Sequence, residues 1–289
     1  MSLLLAVSFG VACATCILAI IRWITDNGFK VPLGGGFYFR RWTQPRDIAT
    51  CELITKHLQH VSRGAVGGEL VPYPIVEGHP GALANKVVLV IFNKAGEPVM
   101  FNAMVKPSAP AGVRENIYHI GLVMVSQKYK GKGFQKFSMV NMSLLLLSHF
   151  LTSYIATDIG DSPSAARLMA QYMLDVYPNC FQPRKRAPRV YVEIFNHLMA
   201  HHRGDMGCSK NAEPDPETFV VHRSNEPTGG GAVQFVSRTI ERKSRYEEVN
   251  QFFKERINSE AGDQMIIMGR VSVYAVLRLI VLRLFKPRV

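Results

Sequence analysis

Between Tyr118 and Val140 the chain reads YHIGLVMVSQKYKGKGFQKFSMV, and the stretch changes period midway. An apolar run rich in β-branched residues predicts a strand over about Asn116–Val125, and the spacing from Phe134 to Phe150 predicts a helix. Between them lies Lys130-Gly131-Lys132-Gly133. A strand that ends in glycines and opens a helix gathers unpaired backbone N–H groups at the positive end of the helix. Glycine also lets a ligand approach the main chain closely. Lys128, Lys130, Lys132 and Lys136 add four cations around that point. Neither GxxxxGK[ST] nor GxGxxG is present. Taken alone, the segment reads as a solvated turn at least as well as a phosphate cradle.

The neighbouring segments supply an order. FYFRRW (37–42) predicts a short strand, and TQPRDIATCELITKHLQHVSRG (43–64) a helix capped near Thr43 or Pro45. Residues 64–85 are rich in Gly and Pro and predict a loop. KVVLVIFN and PVMFNAMV flank Lys94-Ala95-Gly96-Glu97, a hairpin pattern. After the glycine turn and its helix, SYIATDI predicts a strand and SPSAARLMAQYMLDVY a helix starting at Ser162, with Pro163 in its first turn. Val190 to His202 has helical spacing, while ETFVVH and AVQFVS predict two further strands. Strands on both sides of helices predict an α+β fold with a mixed sheet.

This succession resembles the GNAT superfamily of N-acetyltransferases. YFRRWTQPRDIATCELI, with Arg41 and Asp47, is similar to that family's first strand and helix. VMVSQKYKGKGF resembles its acyl-CoA motif, a valine-ended strand followed by Arg/Gln-x-x-Gly-x-Gly/Ala. SYIATDIGDSPSAARLMAQY occupies the place of the next strand and helix. The likeness covers roughly residues 37–237, and the glycine motif is its most specific part. The family's leading Arg or Gln is Lys130 here, its final Gly or Ala is Gln135, and Ser162 and Ser164 stand nearest to an asparagine often found in the later helix. The resemblance implies a mostly antiparallel central sheet flanked by helices. It also implies acetyl-CoA or another acyl-CoA as co-substrate, held by Val123, Met124, Val125, Lys130, Gly131, Lys132, Gly133, Phe134 and Gln135. An amine acceptor would attack the thioester directly, with His119 as the base and Tyr172 as the acid near the sulfur. Asp158 is a second candidate base. The rival readings are a GNAT-like module that binds acyl-CoA or a partner without catalysis, and a membrane-tethered adaptor.

The ends of the chain bear on location. Leu3 to Ile24 is almost wholly apolar and long enough to cross a hydrocarbon core, with Arg22, Lys30, Arg40 and Arg41 following. This predicts a transmembrane anchor at 1–25 in preference to a signal peptide or a core helix, then a linker at 26–36 around Gly34-Gly35-Gly36. The catalytic domain at 37–240 would lie on the cytoplasmic side. Residues 241–289 read as a charged segment and a basic apolar C-terminal helix. From Met265 onward that helix would lie in the membrane interface or pack on the domain. Lys and Arg total 34 against 22 Asp and Glu, a formal +12. The excess predicts an anionic partner, but the basic and aromatic residues form no nucleic-acid signature. Five scattered cysteines form no disulfide framework, which points to a reducing compartment. His197, His201, His202, Cys208 and His222 lack zinc-site spacing, so no metal is expected.

Overall fold

The computed structural model describes residues 15–278 except 69, 135–136, 161, 226–243 and 245. In chain order the elements are α1 (15–26), β1 (Val31–Gly34), β2 (Phe37–Thr43), α2 (Ile48–Val66), α3 (Pro74–Glu77), β3 (Lys86–Phe92), β4 (Pro98–Val105) and β5 (Ile117–Val125). There follow α4 (Phe137–Ser148), β6 (Tyr154–Gly160), α5 (Pro163–Tyr172), β7 (Leu174–Tyr177), α6 (Arg189–His201), β8 (Glu213–Asp215) and β9 (Val220–His222). The last three are α7 (Glu247–Lys254), β10 (Gln264–Val271) and α8 (273–278).

One mixed sheet carries the fold, in the order β1-β2-β3-β4-β5-β6-β10-β9-β8, with β7 also on β10. Every described pairing is antiparallel except β5 with β6. β3 and β4 are buried along their whole length, which is why their sequences are near-continuous apolar runs and do not alternate. They form the expected hairpin. Asn93 N–H donates to Glu97 O at 3.0 Å and Gly96 N–H to Asn93 O at 3.0 Å.

Helices cover both faces. α2 lays Ile54, Leu58, Val61 and Ala65 on one face, against Val88, Val90 and Phe101. Its N-cap is Asp47, whose carboxylate accepts from Thr50 N–H at 2.8 Å, so the helix begins later than Thr43 or Pro45. α6 shares that face farther along, over Ile117, Ile155 and Met268. α4, α5 and α7 cover the other face, around Tyr118, Tyr154, Ala156 and Met265. α5 starts as expected, with Ser162 Oγ accepting from Ala165 N–H at 3.4 Å and Pro163 in the first turn.

The ends differ from expectation. Among the described residues no helix is long and apolar enough to cross a membrane. α1 is described over residues 15–26. Its last turn is also tied into the fold: Asp26 pairs with Arg41 of β2, and Gly28 N–H donates to Arg41 O at 2.7 Å. This overturns the single-pass anchor at 1–25 and the cytoplasmic placement that followed from it; residues 1–14 of that reading lie outside the described set. The expected linker at 26–36 is instead a hairpin. Val31 pairs with Phe39 and Gly34 with Phe37, and Gly34, Gly35 and Gly36 make the tight connection at φ +82°, +59° and +78°.

At the other end, Gln264–Val271 is a strand and not the start of a helix. It runs along the whole of β6, from Met265 opposite Gly160 to Val271 opposite Tyr154. Helical structure begins only at 273, and residues 279–289 of the expected C-terminal helix lie outside the described set, as does AVQFVS. An apolar groove of about 290 Å³ lies between α4 and α8, lined by Val140, Leu144, Leu147, Leu151, Val276 and Leu277. α4 is apolar around its circumference, so it supplies both the core and this groove.

Candidate functional site

The one parallel pairing among the described residues creates the candidate site. β5 and β6 share only three rungs: Ile117 with Ile155, Tyr118 with Ala156 and His119 with Thr157. Both strands continue, β5 to Val125 against β4 and β6 to Gly160 against β10, but they no longer pair with each other. Burial changes at the same place. Gly121, Leu122 and Val123 are half-buried, as are Asp158, Ile159 and Gly160. A wedge therefore opens between the two strands beyond the third rung, lined by backbone edges.

A bulge in β5 sets the divergence. Its register on β4 shifts between Ala103 and Val105, opposite Leu122 and His119. Gly121 sits there at φ +66°, and a Cβ on it would stand 2.2 Å from Ala103 O. Only glycine allows both the dihedral and the approach. The bulge is held from below by a buried polar chain. Asn102 Nδ2 donates to Ile120 O at 2.9 Å, and Asn141 Nδ2 to Asn102 Oδ1 at 2.8 Å. Arg41 Nε donates to Asn141 Oδ1 at 2.8 Å, and Arg41 Nη1 meets Asp26. Arg41 is fully buried; desolvation lowers its pKa to about 10, so it stays charged at neutral pH. The chain links α1, β2, α4 and β4 to the one carbonyl at the mouth of the wedge.

The glycine turn closes the far end of β5. Gly131 and Gly133 both take left-handed backbone, at φ +77° and +78°. An aromatic on each side pins the turn. Tyr129 Oη accepts from Asn93 Nδ2 at 3.2 Å, and Phe134 is buried with its ring 5.1 Å from Phe37. Lys128, Lys130 and Lys132 are exposed, and the ammonium groups of Lys128 and Lys132 lie 5.8 and 5.1 Å from the Tyr129 ring. Positive charge is thus gathered on a fixed turn. Gln135 and Lys136 lie outside the described residues. Of the other residues read as cofactor-binding, Val123 is half-buried against the core on the α4 side, and the side chains of Met124 and Val125 point into the cores on opposite faces.

His119 is only 1% exposed, and its Nδ1 lies 3.0 Å from Thr157 Oγ1. Burial, with the charge of Lys86 nearby, lowers its pKa to about 3. An imidazole held this way stays neutral and is a poor proton acceptor, so its place at the last rung is that of a clamp on the wedge. Asp158, one residue beyond that rung, stands at the opening. Burial raises its carboxyl to about 7, offset only in part by the Ile159 N–H. Tyr172 is half-buried in a crevice with Met139, Met142, Val271 and Val276. Val271 pairs with Tyr154, so Tyr172 sits with the closed end of β6 and not the open one. Composition alone could flag Asp158 as a carboxylate ending an apolar strand; nothing local could show its desolvation.

No protein-family model matches the chain, and no curated protein does. Solved structures give partial likenesses. A protein from Enterococcus faecalis V583 described as a probable N-acyltransferase is 14% identical at TM-score 0.35, with 47% of this chain and 33% of that one covered. The ribosomal-protein-S5-alanine acetyltransferase of Vibrio fischeri is 12% identical at TM-score 0.33, with 49% and 80% covered. A GNAT family acetyltransferase from Brucella melitensis, solved with acetyl-CoA, is 17% identical at TM-score 0.33, with 46% and 80% covered. This chain therefore spans one third of the first of these proteins and four fifths of the other two.

Proposed function

We propose that the chain is an acyl-CoA-dependent N-acyltransferase whose cofactor lies in the wedge between β5 and β6. The observation that carries this reading is the early end of the β5–β6 ladder, which leads to a basic glycine turn. An exposed main-chain edge binds an extended, amide-bearing ligand as it would bind another strand. The pantetheine arm of CoA is such a ligand, and its diphosphate would fall at Gly131 and Gly133, among Lys128, Lys130 and Lys132.

The chemistry needs a proton acceptor for the attacking amine. Asp158 fits this role better than His119, because its raised carboxyl is poised near neutral pH while His119 resists protonation. As the amine nitrogen bonds to the thioester carbon, its proton passes to Asp158; the C–S bond breaks, and the departing CoA sulfur takes that proton from Asp158 to leave as the thiol. His119 and Thr157 hold the apex from which both strand ends diverge. The amine acceptor is unassigned.

Calorimetry of the full chain with acetyl-CoA and longer acyl-CoAs tests the reading. Binding in the micromolar range, with transfer to an amine panel, is the expected result. Failure to bind any thioester at millimolar concentration would overturn it, and binding without transfer would leave a non-catalytic acyl-CoA module.

A further inference from the structure

A second cluster lies at the other end of β5, a nine-residue strand about 30 Å long. The loop entering β5 carries Pro107-Ser108-Ala109-Pro110, with Ser108 exposed between two prolines that fix the backbone. Ser108 Oγ lies 2.8 Å from His202 Nε2, just past the end of α6, and 3.0 Å from His197 Nε2. His202 Nδ1 lies 3.3 Å from Asp205 Oδ2. Asp205 is itself fixed, accepting from Lys86 Nζ at 2.8 Å and Asn85 Nδ2 at 3.3 Å.

The neighbours of His202 decide which ring nitrogen carries the hydrogen. Ser108 N–H donates to Nε2 at 3.2 Å, so that nitrogen presents its lone pair. Nδ1 faces a carboxylate that the nearby Lys86 ammonium keeps ionised, so Nδ1 carries the hydrogen. The Ser108 hydroxyl, at 2.8 Å, shares that one lone pair with the Ser108 N–H in a bifurcated arrangement, while its own lone pair can accept from His197. That is the proton arrangement of an activated hydroxyl: nucleophile, base, and a carboxylate that orients the base.

We propose that Ser108, His202 and Asp205 form a second, nucleophilic site that cleaves short-chain carboxylic esters. A short acyl group is specified because Ser108 stands in an open loop and does not line the α4–α8 groove that could hold a long one. Ser108 Oγ gives its proton to His202 Nε2 as it bonds to the acyl carbon. The bond from that carbon to the alkoxy oxygen then breaks, and the leaving oxygen takes the proton from Nε2. Water repeats the sequence on the acyl-serine: it gives a proton to Nε2, its oxygen bonds to the acyl carbon, and Oγ recovers the proton as it leaves. No electrons change hands, and ester and water are the only reactants.

The test uses the full chain with p-nitrophenyl acetate and a fluorophosphonate probe. One probe per chain is expected, on the peptide containing Ser108, together with a burst of p-nitrophenol. Ser108→Ala should abolish the adduct, and His202→Gln should slow labelling at least 100-fold, with thermal unfolding confirming that both variants are folded. The proposal is overturned by an unlabelled wild type, by an adduct elsewhere, or by Ser108→Ala labelling at the wild-type rate. His202→Gln labelling within threefold of wild type would remove the base and overturn it equally.

Discussion

His119 Nδ1 and Thr157 Oγ1 meet at 3.0 Å on the last rung that joins β5 to β6. The bond is buried, and the folded-state pKa of His119, about 3, lies below the ordinary 6.5. As pH falls, the unfolded chain therefore takes up this proton before the folded one does. The contribution to stability is complete above about pH 6.5 and is lost as pH falls toward 3. Between pH 6.5 and 5 the loss should be on the order of 2 kcal/mol. Denaturant titrations at both values should show that amount as the difference between the pH dependence of wild type and that of His119→Asn, since Asp158 contributes its opposite trend to both.

Thr157→Val keeps the shape and removes the partner. A buried polar group left unpaired costs about 1–3 kcal/mol. Calorimetry should report a lower Tm, and acyl-CoA affinity should fall along with it because the apex of the wedge is loosened.

Asp158 gives the opposite sign. Its folded pKa of about 7 lies above the ordinary 3.8, so its ionisation destabilises the fold progressively as pH rises from about 3.8 through 7. Asp158→Asn should be more stable than wild type at pH 8, by about 1–3 kcal/mol once partial exposure is allowed for. It should also lose the ascending limb of the kcat/KM profile near pH 7, with a fall of about 100-fold or more. A variant with a normal profile would exclude Asp158 as the base.

Gly133→Asp places a carboxylate and a Cβ where the turn takes φ +78°. Acyl-CoA affinity should drop at least 10-fold in calorimetry, equivalent to about 1.4 kcal/mol. The backbone strain alone would cost about 1 kcal/mol of stability. Gly133→Ala, carrying the same strain without the charge, separates the two effects.

Several of these features were legible in the sequence and several were not, for physical reasons. The β3–β4 hairpin, the Ser162-Pro163 helix start and the glycine turn are local patterns, each written within a few residues. β10 was misread because Met265–Val271 is apolar on both faces and runs into a helical segment, so periodicity alone could not divide them. Its Gly269 is explained only by the packing of the α5–β7 junction: a Cβ there would stand 2.8 Å from the Met173 side chain and 3.0 Å from that of Val176 in β7. Arg41 was visible as a charge in a strand, but its burial depends on Asp26 and Asn141, which are 15 and 100 residues away. Ser108 was passed over because its partners come from α6 and the turn that follows it, about 90 residues on.

The pairing of Asp26 with Arg41 is open to a direct measurement. Removing one member of a buried ion pair leaves the other charge uncompensated, at a cost of about 3–5 kcal/mol. Asp26→Ala should show that loss in equilibrium unfolding. Asp26→Ala combined with Arg41→Met should recover much of it.

That pairing also governs how the protein can be dissected. A version begun after Gly36 to shed the apolar start would strip the counter-ion from a guanidinium with no solvent around it and remove the outermost hairpin. One stopped before Gln264 would leave β6 bare along the edge away from β5. The segments that look most expendable in the sequence hold one edge of the sheet and one of its inner strands, and trimming them would distort the wedge before any ligand was added.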